Sequence, residues 1–330
     1  MTRRRLAAVC VGGGVLATTV VWAGLGPGRP DPPRGKSGSG EALVLRLAAA
    51  DGGTAAGELA ARFARRVREL SRGSLRVAVS FQPRAAAVGA LRAHEAELAI
   101  VPADSFRVLG VTSLEALQAP FLISSSTHAA RATAGLIAER LQAGLGELSL
   151  SGLALVPDGL YRAFGYLKAL ETPGDYADVT IRAPPSVALF DLLRALGARA
   201  VPLGVEGETV VYVGFDGPAT RTAEDAFPEN AYTAGNLALL PKIEAIVGST
   251  DALGRLSAGQ RAIVERAAEQ VRRRTIAAAN ERAAASAFCA AGGTVVTAPG
   301  QSLRALRART ASLLAALRRD PTTRVLVSGI

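Results

Sequence analysis

From Leu43 onward two hydrophobic periods take turns along the chain, and that alternation leaves few architectures open. Leu43 to Leu47 form a short apolar run that reads as a strand. Beyond Asp51-Gly52-Gly53, Leu59, Phe63, Val67 and Leu70 recur at the spacing of one helix face, and Gly73 supplies a C-terminal stop. Leu75, Val77, Val79 and Phe81 then alternate with polar or small neighbours, the period of a half-buried strand. A helix over 84–95 and a buried strand over 98–101 follow. This βαβαβ order predicts a mostly parallel sheet with right-handed crossovers.

The same grammar continues. Ala119-Pro120-Phe121-Leu122-Ile123 reads as a loop with a hydrophobic hook, and Thr127 opens a helix expected to reach about Ala143. Strands are expected at Leu153–Val156, Tyr161–Tyr166, Val179–Arg182, Val201–Leu203 and Thr209–Phe215. Ser186 caps a helix with Leu189, Leu192, Leu193 and Leu196 on its apolar side, closed by Gly197. Ser257 and Gln260 form a capping box that starts the longest helix, proline-free to about Ala291. A last amphipathic helix is expected over 303–318. No internal repeat and no glycine-rich phosphate loop interrupts the pattern. Alternation over this length predicts an α/β fold of two lobes with a cleft between them.

The N-terminus points to export. Arg3, Arg4 and Arg5 precede an uncharged run from Leu6 to Leu25, the pattern of a signal peptide or an uncleaved membrane anchor. Arginines ahead of such a run stay cytoplasmic, so the body is expected outside the membrane. Residues 26–41 are rich in Pro, Gly and Ser and read as a linker. Beyond Cys10 the only cysteine is Cys289, expected as a small buried hydrophobe, so the body has no internal disulfide. The net charge of +10, almost all arginine, raises nucleic acid as a partner. The arginines are scattered over several helices without interleaved aromatics, and export removes that partner, so no nucleic-acid binding is expected.

Catalytic chemistry finds little support. His94 and His128, the only histidines, are expected to be solvated surface residues, and neither sits in a cluster of metal ligands. Glu206 and Glu208 read as exposed turn or strand residues. With no nucleophile–base pair and no cofactor motif, the chain is not expected to be an enzyme. Arginines beside apolar strand residues are the exception. Arg162 lies in Tyr161-Arg162-Ala163-Phe164, and Arg182 in Ile181-Arg182-Ala183-Pro184. Open α/β sheets bind ligands beyond the carboxyl ends of their strands. An arginine there offers a carboxylate a two-pronged donor. Either arginine could instead pair with a nearby acid or reach solvent.

The segment that carries these arginines resembles the substrate-binding proteins of TRAP transporters, the DctP-type family. The resemblance rests on Arg162…Thr172-Pro173…Asp175…Ile181-Arg182-Ala183-Pro184…Leu196-Gly197-Ala198…Val201-Pro202-Leu203…Asp216-Gly217. Phe63 to Gly73, Ala119 to Ile123 and Leu256 to Gln260 extend it, so it spans Leu43 to about Gly293. It implies a type II periplasmic-binding-protein fold with a long C-terminal helix, closing on a small organic acid for a membrane permease. In these terms Arg182 makes the main salt bridge to the ligand carboxylate and Arg162 is a second ligand-side arginine. Asp216 opens the stretch that completes the site, and Thr220 stands where the family has an asparagine. The expected division is 42–162 with 250–292 in the first lobe, 163–249 in the second, and 293–330 as a helical extension. The stretch 204–220 departs from the family's pattern, so a membrane-anchored sensor without a transport role is the alternative.

Overall fold

A computed structural model describes residues 42–50, 54–202, 209–213 and 231–330. β1 (Leu43–Ala50), β2 (Leu75–Gln82) and β3 (Leu98–Pro102) pair in parallel in the order β2-β1-β3. α1 (Thr54–Leu70) and α2 (Arg84–Arg92) connect them. β1 and β3 bury both faces, as parallel strands between helices do, whereas the edge strand β2 is largely exposed. Leu45, Leu47 and Ala49 of β1 join one core cluster, while Ala48 and Ala50 join another. α1 brings Leu59, Phe63 and Val67 into the first of these, as their spacing predicts. The chain leaves α1 through Arg72 and Gly73, with φ of 52° and 86°, and the Gly73 amide returns to the Arg68 carbonyl at 2.9 Å.

Beyond β3 the architecture departs from a mostly parallel sheet. Two short 3-10 turns (Ala103–Leu109 and Ser113–Gln118) lead to the hydrophobic hook. Phe121 is buried there with φ of 56°, inside the cluster formed by Ile181, Leu189 and Leu192. The helix expected from Thr127 to Ala143 is two helices, α3 (Ser126–Ala132) and α4 (Gly135–Ala143), and Gly135 has φ of 54°. The strands expected at 153–156 and 161–166 are one, β4 (Leu150–Gly165). Its register against β9 (Leu240–Ser249) shifts at Gly152/Ala154 and again between Pro157 and Leu160. The second shift sets Pro157 to Leu160 against Ile243 to Pro241, one residue extra on β4, and Gly159 at φ of 105° accommodates it.

β9 is antiparallel to both β3 and β4, so the sheet is mixed. It lies in the stretch expected in the second lobe, yet it is hydrogen-bonded between two strands of the first. At Tyr161, β4 faces Leu240 of β9 on one side and Val213 of β7 (Thr209–Val213) on the other. From there β7, β5 (Thr180–Ala183) and β6 (Arg199–Pro202) complete the order β2-β1-β3-β9-β4-β7-β5-β6. β8 (Tyr232–Ala234) and β10 (Thr294–Val296) branch from β4. The short α5 (Pro173–Tyr176) precedes β5, and α6 (Val187–Ala195) packs Leu189, Leu192 and Leu193 under the second half of the sheet. Ser186 caps α6 by accepting from the Leu189 amide at 3.3 Å, and Gly197 ends it with φ of 98°.

After the short α7 (Thr250–Gly254), the Ser257–Gln260 capping box forms as expected and starts α8 (Ala258–Ala278). That helix stops short of Ala291. Ala279 turns extended and the Asn280 carboxamide accepts from the Ala283 amide at 2.9 Å, capping a new helix, α9 (Glu281–Ala290). Asparagine favours such caps over helix interiors. The helix expected over 303–318 is likewise two, α10 (Gly300–Arg309) and α11 (Ala311–Leu317), and a further helix, α12 (Pro321–Gly329), follows. Two side chains differ from expectation. Cys289 is exposed, because α9 turns Phe288 inward instead. His128 is half-buried, its Nε2 2.8 Å from the Ile330 carbonyl oxygen, while His94 is exposed. Among the described residues no helix is long and apolar enough to cross a membrane; residues 6–25, 26–41, Glu206 and Glu208 lie outside them.

Candidate ligand-binding site

Strand register puts both arginines on one face. Arg162 of β4 is opposite Tyr212, and Arg182 of β5 is opposite Val210, two residues back on the same strand β7. Alternate residues of a strand share a face, so Arg162 and Arg182 project from the same side with only β7 between them. Their neighbours Tyr161, Ala163, Ile181 and Ala183 point the other way, into the core beneath α6. Arg182 is next to last in β5, at the carboxyl end where α/β sheets receive ligands.

The two side chains are held differently. Arg182 is half-buried; its Nη2 donates to the Tyr166 hydroxyl at 2.5 Å, and its Nε is buried with no hydrogen-bond acceptor among the described residues. A buried donor left unsatisfied on a charged group is costly, so this nitrogen favours an incoming acceptor. Arg162 is 1% exposed. Its Nε donates to the Gly235 carbonyl at 3.1 Å, and its Nη2 meets Glu281 Oε2 at 3.4 Å. Glu281 opens α9 and uses its other oxygen to accept from the Ser126 amide and hydroxyl, both at 2.7 Å. Arg162 therefore carries a protein counter-charge that Arg182 lacks among the described residues. Asp216 and Thr220 lie outside the described residues.

A second polar group stands where β3 ends. Glu244 of β9 is opposite Pro102, the last residue of β3. Asp158, in the β4 bulge, accepts from Lys242 Nζ at 2.5 Å, and Glu244 Oε1 is 3.8 Å from the same nitrogen. Burial alone would lower the Lys242 pKa, but the carboxylates of Asp158 and Glu244 outweigh it and raise it. Burial pushes Glu244 up to about 7 despite Lys242, and its Oε2 is buried without a donor. Burial also pushes the Tyr161 hydroxyl up to about 12. Arg84 and Asp104, paired at 3.1 Å, lie at the mouth of a groove of about 450 Å³ between α2 and the start of α6. Among the described residues no three His, Cys, Asp or Glu side chains gather as metal ligands.

The sequence singles out the two arginines but not Tyr166, Glu281 or the Asp158–Lys242–Glu244 group that the fold places among them. Asn280-Glu281 was a readable signal, a capping residue followed by an acid in the first turn of a helix.

The chain is a mixed α/β protein with two arginines on one face of its sheet, and that fold is the one the comparisons with known proteins bear on. Residues 48–206 match the model of the bacterial extracellular solute-binding protein family 7, DctP. The family is one of receptors, not an enzyme class. Solved structures agree in fold. A TRAP periplasmic solute-binding protein from Ochrobactrum anthropi, with its C-terminus bound in the ligand-binding pocket, superposes with a TM-score of 0.72 at 20% identity, covering 87% of this chain and 94% of that one. The sugar acid binding protein DctPAm from Advenella mimigardefordensis, in complex with galactonate, gives 0.71 at 16% identity, covering 88% and 96%. A TRAP protein from Roseobacter denitrificans with bound β-D-glucuronate gives 0.71 at 17% identity, covering 86% and 99%. No curated protein sequence matches the chain.

Proposed function

We propose that this chain captures a small organic acid outside the cytoplasmic membrane and hands it to the membrane permease of a TRAP transporter. Arg182 supports the reading above all. It is a strand-end guanidinium with a buried, unpartnered Nε, on the same sheet face as Arg162. Arg182 takes the ligand carboxylate and Arg162 assists, with Asp216 and Thr220 as the further ligand-binding residues. One lobe is built on β1–β3, β9 and the first half of β4, the other on β5–β7 and α6. Closure of the two around the ligand removes water and strengthens the arginine contacts. The N-terminal apolar run serves as export signal or anchor, and the receptor carries out no reaction of its own.

A single substitution tests this. Two charge-assisted hydrogen bonds at about 1.5–3 kcal/mol each correspond to roughly a hundredfold or more in affinity. Arg182→Ala is expected to lose binding of organic acids by that factor in titration calorimetry. Its melting temperature should stay near that of the parent, because among the described residues this side chain hydrogen-bonds Tyr166 alone. Equal acid affinity in parent and variant would remove Arg182 from the site.

A further inference from the structure

Tyr166 stands beside Arg182 with a hydrogen-bonding group of its own to spare. It follows Gly165, the last residue of β4, and lies four residues after Arg162, an even step that keeps it on the arginine face of the sheet. Its hydroxyl oxygen is 2.5 Å from Arg182 Nη2. A guanidinium only donates, so the direction of this bond is fixed: Arg182 gives the hydrogen and the Tyr166 oxygen accepts it. A tyrosine hydroxyl also carries a hydrogen, and that of Tyr166 has no acceptor among the described residues. The ring is half-buried, so the hydroxyl is neither sealed in the core nor left to open solvent.

Nε and Nη2 belong to one planar guanidinium, and the Arg182 Nε is buried with no acceptor among the described residues. An unmet N–H and an unmet O–H therefore flank the same nitrogen, Nη2. The hydroxyl oxygen is turned to Arg182, which leaves its hydrogen for a ligand. An ionised carboxylate has two acceptor oxygens and meets both donors. A carboxamide has one acceptor oxygen and an NH2 group, so one of its donors would face a donor of the protein, and a polar group stranded in this way opposes binding. We infer that Tyr166 is a ligand-contacting residue whose O–H joins Arg182 in gripping the carboxylate, and that it sharpens selection for an ionised carboxylate over the matching amide. One hydrogen bond to a charged acceptor corresponds to roughly tenfold to a hundredfold in affinity. This inference rests on the receptor reading, with Arg182 as the principal charge.

The test uses the full chain in phospholipid nanodiscs, free of detergent, and titration calorimetry with D-glucuronate, L-pyroglutamate and phenylacetate, each beside its primary amide, the amides being read by competition against the acid. Tyr166→Phe keeps the ring and removes only the hydroxyl, and its melting temperature should match that of the parent. It should weaken the tightest-bound acid roughly tenfold to a hundredfold and change the matching amide less than twofold, so that the acid-to-amide ratio falls at least fivefold. Acid and amide weakened by the same factor would overturn the inference, because Tyr166 would then only steady Arg182. Acid affinity unchanged in Tyr166→Phe but lost in Arg182→Ala would also overturn it and leave the receptor standing. No acid binding by the parent, or acid binding unchanged in Arg182→Ala, would overturn the receptor reading along with it.

Discussion

Replacing Glu281 by glutamine separates what this residue does for the fold from what it does to the ligand site. Glu281 spans two partners, Ser126 through Oε1 and Arg162 through Oε2. Glutamine keeps an acceptor for Ser126 and removes the charge facing Arg162. At 3.4 Å, an ion pair in surroundings of effective dielectric about 20 is worth about 5 kcal/mol in Coulomb terms. The Glu281 side chain is 33% exposed, so solvent screening leaves about 1–2 kcal/mol. Arg162 retains its bond to the Gly235 carbonyl. Urea unfolding should therefore show a loss of about 1–2 kcal/mol. The affinity for a carboxylate should move the opposite way. In the parent, Glu281 and the ligand compete for one guanidinium; without that competitor, part of the same energy goes to the ligand. A gain of roughly three- to tenfold is expected in calorimetry with a carboxylate that the parent binds, since about 1.4 kcal/mol is a factor of ten. Lower stability with unchanged or weaker acid affinity would refute the reasoning and reduce Arg162 to a structural ion pair.

Two further outcomes follow from buried groups. Glu244 titrates at about 7 when folded against an ordinary 4.5, so its share of stability is complete below about 4.5 and is lost as pH rises through 7. The melting temperature should fall between pH 5 and pH 8, by on the order of 3 kcal/mol in stability, and Glu244→Gln should flatten that fall; parallel profiles in parent and variant would refute it. Phe121→Ala empties the hook that enters the core beneath α6, and should cost about 3–5 kcal/mol in urea unfolding. A loss below about 1 kcal/mol would mean that the hook contributes little.

The periodic parts of the fold were legible because local pattern and tertiary role agree there. Leu59, Phe63 and Val67 mark a helix face that is the buried face, and Ser186 and Ser257 cap the helices they precede. β9 was not legible, and the reason is physical. Lys242 and Glu244 alternate with Ile243 and Ala245, which reads as a half-exposed segment, yet Glu244 is 1% exposed. Those charges can lie inside because the β4 bulge brings Asp158 to Lys242 from 84 residues away. The helix break at Ala279 is marked in the sequence by its capping asparagine, but composition outweighs that mark. An alanine-rich stretch supports continued helix on propensity alone, and a single capping asparagine redirects it.

The candidate site divides along the same line. Arg182 could be singled out because strand, arginine and proline follow one another in sequence, and the ligand end of a sheet is a property of topology. What surrounds it could not be read that way. Tyr166 lies 16 residues before Arg182, and Glu281 lies 119 residues beyond Arg162; each contact exists only after β4 has been threaded between β9 and β7. Those contacts decide which arginine is spoken for. Arg162, fully buried and facing Glu281, is set in place before any ligand arrives, whereas the Arg182 Nε still lacks an acceptor. Two arginines that look equivalent in sequence thus become unequal in the fold: one fixed as part of the wall, the other left with unmet hydrogen-bonding capacity for a carboxylate to fill.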